Sequence, residues 1–97
     1  MNKLPAVIGR SPDADVRLDD RWVSRRHCEI DQINGTLVVR DLGSKHGTAV
    51  NGEYAAQTHL LPGDRLTIGL TSFEVHYKRS KRPTPSIAVE LEPANHC

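Results

Sequence analysis

Cysteine is scarce in this chain of 97 residues, which holds only Cys28 and the terminal Cys97. Two such cysteines cannot build the dense disulfide framework that staples small secreted domains. Cys28 lies in an apolar-alternating stretch and reads as a small core residue. Long hydrophobic runs are missing too: the apolar stretches are short, Leu60-Leu61 among them, against the roughly 20 residues that span a bilayer. Residues 1–7 carry one Lys and lack the apolar core of about 7 to 15 residues of a secretory signal. No membrane partner is expected, and the expected compartment is the cytoplasm. The five histidines, His27, His46, His59, His76 and His96, stand singly rather than in the paired spacing of zinc ligands, so neither a metal nor a cofactor is expected. Charge of one sign is absent as well. Lys plus Arg number 13 and Asp plus Glu 12, a net charge of +1. A domain that gains affinity by neutralising many nucleic-acid phosphates usually carries a broad basic surface, so nucleic acid is a weak expectation.

What is present is turn chemistry and short apolar runs. All 7 glycines precede Tyr77, whereas Lys78 onward holds three of the 6 prolines and a cluster of four basic residues. We therefore expect a domain over 1–77 and a flexible basic tail or linker over 78–97, which has few large apolar groups to bury. Within the domain, candidate strands are 6–8, 16–18, 27–33, 36–40, 48–50, 59–61, 65–68 and 72–77. Phe73, Val75 and Tyr77 alternate with Glu74 and His76, as in a strand with one wet face. Asn34-Gly35, Asn51-Gly52 and Pro62-Gly63-Asp64 punctuate the runs as tight turns. No window carries an apolar stripe at helical spacing. The pattern predicts an all-β chain folded as a two-sheet β-sandwich with no long helix.

Three clusters look like neither core nor turn filler: Gly9-Arg10, Ser24-Arg25-Arg26-His27, and Gly43-Ser44-Lys45-His46-Gly47-Thr48. Each lies next to a candidate strand, and strand-connecting loops gather at the two ends of a sandwich, so distant clusters can meet there. Arg10, the Ser24 hydroxyl, Arg25 and Lys45 would together suit a tetrahedral oxyanion. Guanidinium forks bond phosphate oxygens bidentately, and the hydroxyl adds a donor. The acidic residues Asp13, Asp15, Asp19 and Asp20 balance the total charge while the loop tips stay positive.

Four motifs in order, Ile8-Gly9-Arg10, Ser24-Arg25-Arg26-His27, Asp41-Leu42-Gly43-Ser44-Lys45-His46-Gly47-Thr48 and Val50-Asn51-Gly52, closed by Pro62-Gly63-Asp64 and Ile68-Gly69, resemble the forkhead-associated (FHA) domain. The resemblance covers about residues 4–77. It implies a sandwich of about 11 short strands that reads phosphothreonine in partner proteins, such as kinase substrates, through its loops. By resemblance, Arg10 and Ser24 hold the phosphate, Arg25 and Lys45 contact the phosphate or the peptide, and His27 ties loops together. Gly9, Gly47, Thr48, Asn51 and Gly52 are implied to support the site. His46 stands where the family usually has Asn. A neutral imidazole has one donor and one acceptor on opposite ring edges and cannot reproduce the amide's side-by-side pair, so His46 is expected to offer a ring donor or a stacking contact to the peptide.

An enzyme is not expected. Ser24 and His27 lack a nucleophile elbow of the G-x-S-x-G type, and Gly47 is followed by Thr48 and a strand rather than by the Lys and helix of a nucleotide-binding P-loop. The expected function is noncatalytic phosphothreonine-peptide recognition in signalling; the alternative is a phosphate-independent interaction or oligomerisation domain of the same fold. Thr84, followed three residues later by Ile87, is a candidate ligand for the pocket of its own or a neighbouring copy once phosphorylated.

Overall fold

The computed structural model describes residues 4–78 and 90–93. These form ten strands and no helix: β1 (Ala6–Gly9), β2 (Val16–Arg17), β3 (Cys28–Ile33), β4 (Thr36–Asp41), β5 (Thr48–Val50), β6 (Glu53–Tyr54), β7 (Gln57–Leu60), β8 (Arg65–Ile68), β9 (Thr71–His76) and β10 (Glu90–Pro93). One sheet has the order β2-β1-β3-β4-β7 and the other β10-β9-β8-β5-β6. The fold is the expected two-sheet sandwich. Only β1 and β2 pair in parallel, through Ile8↔Val16 and Gly9↔Arg17; the other pairs are antiparallel.

Alternation explains the core. In β3 Cys28 and Ile30 are fully buried, in β8 Leu66 and Ile68, and in β9 Phe73 and Val75 turn inward while Glu74 stays in water. With Ile8, Val23, Leu37, Val39 and Leu60 these side chains fill the space between the sheets, each worth about 1.5 to 3 kcal/mol of apolar transfer. Cys28 belongs to this core, and its thiol is pushed up to about 12, first by burial and then by the nearby Asp41 charge.

Three features depart from the sequence reading. Strand β6 has no apolar alternation and is set by the Asn51-Gly52 turn, whose φ values of 52° and 84° fold the chain straight back onto β5. Strand β7 begins at Gln57 rather than at His59. Finally, the segment assigned to a flexible tail contributes β10, which pairs with β9 through Leu91↔Val75 and lays Leu91 against the core. One apolar residue and a ladder of backbone bonds suffice there because β9 would otherwise be an open sheet edge.

Strand directions sort the loops into two ends. The segments after β1, before β3, between β4 and β5 and between β8 and β9 share one end. The β3–β4, β5–β6 and β7–β8 connections share the other.

Candidate functional site

At the first end the chain is braced from the inside. His27 is fully buried, and its Nδ1 accepts the Ser24 amide at 3.0 Å while its Nε2 lies 2.7 Å from the Gly47 carbonyl oxygen. An accepting Nδ1 assigns the proton to Nε2, which therefore donates to Gly47. One imidazole thus clamps the β2–β3 loop to the β4–β5 loop. The His27 amide also donates to the Ile8 carbonyl at 3.0 Å, which docks the clamp on β1.

Gly9 makes the close approach possible. A Cβ built on it would lie 2.1 Å from the Arg25 carbonyl oxygen, so any side chain there would force the two segments apart. Its φ is not positive, so closeness rather than a turn is what requires glycine. The contact lets the Arg10 amide donate to the Ser24 carbonyl at 3.0 Å and the Ser11 amide to the Arg25 carbonyl at 3.1 Å. Arg10 and the Ser24-Arg25 pair are fixed side by side.

The third loop is organised by Asp41. Its carboxylate accepts the Gly43 and Ser44 amides at 3.0 and 2.9 Å and the Ser44 and Thr48 hydroxyls at 2.5 and 2.7 Å, and the Ser44 hydroxyl in turn accepts the Gly47 amide at 2.9 Å. Burial pushes the Asp41 carboxyl up, but bonds from the Ser44 and Thr48 hydroxyls and the two amides outweigh it and hold it below its ordinary 3.8. Gly47 turns at φ 85° beneath the Tyr54 ring, with no room for a Cβ. The loop then presents Lys45, whose amide donates to the Ser24 hydroxyl oxygen at 3.1 Å. With that oxygen accepting, the Ser24 hydroxyl proton is left as a donor for an incoming anion.

Asp20 adds a fourth loop. It accepts the Trp22 and Leu70 amides at 2.8 and 3.0 Å and the Thr71 hydroxyl at 3.1 Å, tying the β2–β3 loop to the β8–β9 turn. The Trp22 amide bond is the leading reason its carboxyl lies below 3.8, opposed by desolvation and aided by the Leu70 amide and the Thr71 hydroxyl. Trp22 is 42% exposed rather than buried in the core, and meets the His46 ring edge-on with centroids 4.7 Å apart. His46 therefore has an edge-on partner within the chain.

The outcome for the residues singled out from sequence is uneven. Arg10, Ser24, Arg25, Lys45 and His46 come together on one end, supported by Gly9, His27, Gly47 and Thr48. Arg10, Arg25 and Lys45 are exposed, and none has a carboxylate within ion-pair distance among the described residues. Asn51 and Gly52 do not join them. They lie at the opposite end, where the Asn51 side chain donates to Asp64 at 3.1 Å and accepts the Arg65 amide at 2.9 Å. The three residues of β5, at about 3.3 Å each, carry this turn away from the site. Sequence reasoning gave no bracing role to Asp41 or Asp20; Asp41, two and three residues before Gly43 and Ser44, carries a recognisable loop-closing pattern, whereas Asp20, followed by Arg21, Trp22 and Val23, carries none. Thr84 lies outside the described residues. Among those residues there is no cluster of three or more candidate metal ligands. A surface cavity of about 550 Å³ lies elsewhere, lined by Asn51, Gly63, Arg65, Thr67, Ser72 and Glu74.

The family model for the FHA domain matches residues 6–69, most of the chain. The chain belongs to the FHA domain family. As an FHA domain it is 46% identical over 69 residues to the oxoglutarate dehydrogenase inhibitor of Corynebacterium diphtheriae, a match that covers 71% of this chain and 48% of that protein. It is 48% identical over 61 residues to the glycogen accumulation regulator GarA of Mycolicibacterium smegmatis, covering 63% and 39%. The chain thus spans about half or less of the curated relatives it matches. Among solved structures it superposes on the FhaA FHA domain complexed with the intracellular domain of Rv3910, with a TM-score of 0.65, 34% identity and coverage of 88% of this chain and 78% of that one. An FHA domain solved in work on phosphothreonine-dependent interactions aligns with a TM-score of 0.66, 34% identity and coverage of 92% and 78%. No helix among the described residues is long and apolar enough to cross a membrane.

Proposed function

We propose that this FHA domain is a noncatalytic module that binds phosphothreonine peptides and so makes a protein–protein contact depend on phosphorylation. The observation that carries the reading is Ser24: its oxygen is held by the Lys45 amide, its hydroxyl proton is free, and it lies beside Arg10 and Arg25, which lack carboxylate partners among the described residues. A phosphate brings about 1.5 to 2 negative charges and three acceptor oxygens to such donors. Each charge-assisted bond is worth about 1.5 to 3 kcal/mol, whereas an unmodified threonine would leave the cations unpaired. Arg10 and Ser24 hold the phosphate; Arg25 and Lys45 serve the phosphate or the peptide; His46, edge-on to Trp22, forms the adjoining wall. His27 has both ring nitrogens engaged and is no general base, which supports a binding role over catalysis. The inhibitor and regulator among its relatives support a regulatory setting, and the cytoplasm, where phosphoproteins and kinases meet, is the compartment we assign. The partner is a phosphorylated protein. A degenerate phosphothreonine peptide library, offered with and without phosphatase to the wild type and Arg10→Ala, tests the reading. Binding is expected only for the phosphorylated library and the wild type; equal binding after phosphatase treatment would overturn it.

A further inference from the structure

Arg17 is a cation that the phosphate site does not use, yet it is built against it. It closes β2, in parallel register with Gly9, and its Nε donates to the Arg10 carbonyl oxygen at 3.3 Å. β1 lies between β2 and β3 in the sheet, so the Arg10 backbone is held from two sides. Its amide bonds the Ser24 carbonyl on the β3 side, and its carbonyl takes Arg17 on the β2 side. Ser24, Arg25 and Lys45 therefore gather on one flank of Arg10 and Arg17 stands on the other. The Nε contact occupies one of the five guanidinium donors and leaves the two terminal nitrogens open. Arg17 is exposed, and no carboxylate among the described residues lies within ion-pair distance of it. Asp15, the acid before it on the same loop, is turned to the Val7 amide at 2.8 Å. Two arginines rooted side by side, neither with a carboxylate partner among the described residues, make this flank of the site positive and favour an arriving anion.

We propose that Arg17 is a specificity-determining residue that reads a second negative charge on the partner, beside the phosphothreonine and on the side of Arg10 away from Lys45. The group it takes is an oxyanion, either a carboxylate of Asp or Glu or a second phosphate, and the fork of Arg17 fits both. This rests on the phosphothreonine reading above. Solvent screening limits the gain from one exposed carboxylate pair to about fivefold in affinity, and a second phosphate, with more charge, exceeds that.

The test uses three sets of fluorescent peptides of one length: a phosphothreonine with neutral flanks, the same peptide with a single Asp moved through each flanking position, and the same peptide with a second phosphorylated residue at those positions. Wild type, Arg17→Gln and Arg17→Glu are compared, with Arg65→Gln as a control at the opposite end. Wild type is expected to gain up to about fivefold from the Asp, and more from the second phosphate, at one or two adjoining positions. Arg17→Gln loses that gain and binds the neutral-flank peptide within about twofold of wild type, and Arg17→Glu turns the gain into a loss. Equal gains in wild type and both variants, or the same proportional loss on every peptide, would overturn the inference. Failure of the neutral-flank phosphopeptide to bind wild type at all would instead defeat the proposed function. If only the doubly phosphorylated set gains, the source is a phosphate; if the Asp set gains as well, Arg17 reads acidic sequence.

Discussion

The two ends of the sandwich are built with the same device and left in different states. At each end polar side chains cross-link the connections: Asn51 and Asp64 lace the β5–β6 turn to the β7–β8 loop, and the Tyr77 hydroxyl bridges the Leu37 amide and the Leu60 carbonyl. At the other end His27 and Asp20 bind three loops to one another, and Asp41 holds one of them in shape. The difference lies in what remains. At the far end Asn51 and Asp64 satisfy each other and Arg65 stands apart as a lone exposed arginine, whereas at the site end the bracing is complete inside and gathers Arg10, Arg25 and Lys45 outside, none with a carboxylate partner among the described residues. Preorganisation of this kind keeps the ordering cost of binding low, because the cations are rooted on backbone that is already fixed.

The largest break in this contrast should come from the exposed cations. Arg10→Ala is expected to lower phosphothreonine-peptide affinity by about 100-fold or more, within the range of charge-assisted bonds, while leaving the thermal midpoint unchanged. Arg65→Ala at the far end should alter neither, as titration calorimetry and thermal melts would show side by side. Next comes the internal bracing. His27→Ala leaves the Ser24 amide and Gly47 carbonyl without partners in a buried space, and urea unfolding should show a loss of about 3 kcal/mol together with loss of peptide binding. Gly9→Ala, whose Cβ overlaps the Arg25 carbonyl oxygen, should cost about 2 kcal/mol by the same assay and weaken binding by displacing Arg25. Asn51→Ala should cost about 1 kcal/mol and leave binding untouched, the reverse of Arg10→Ala.

The smallest effect is one of pH. The Asp41 carboxyl titrates lower in the folded chain than its ordinary 3.8, so the folded state holds fewer protons than the unfolded one as the medium becomes acid. Its contribution is therefore fully present above about pH 4 and is lost as pH falls through the folded value. Asp41→Asn should flatten the acid limb of a stability curve recorded from neutrality downward, and an unchanged limb would count against the role given to Asp41.

Apolar alternation made the sandwich legible, since Cys28, Ile30, Leu66, Ile68, Phe73 and Val75 recur at the period of a half-buried strand. The loop clusters were legible because Arg10, Ser24 and Lys45 have no place in a core. What the sequence concealed was geometry set at a distance. Asn51 lies three residues from Thr48 in the chain, yet β5 places it at the other end of the molecule. Glu53–Tyr54 and Glu90–Pro93 pair because a neighbouring strand offers an edge, a property of β5 and β9 rather than of their own residues. Arg17 reads as one more solvated charge until the parallel pairing of β1 with β2 brings it to the Arg10 carbonyl. His46 was legible as an outlier, but its partner Trp22 was not.

The central claim is that one end of the sandwich reads phosphate and the other does not. Amide chemical shifts followed while a phosphothreonine peptide, and then its unphosphorylated form, is titrated into the labelled domain test it most directly. The account predicts that the amides of 9–11, 24–27 and 43–48 move with the phosphopeptide alone, while those of 33–36, 51–52, Leu61, Gly63 and Asp64 stay in place. Equal shifts with both peptides, or shifts centred on Asn51 and Asp64, would contradict it.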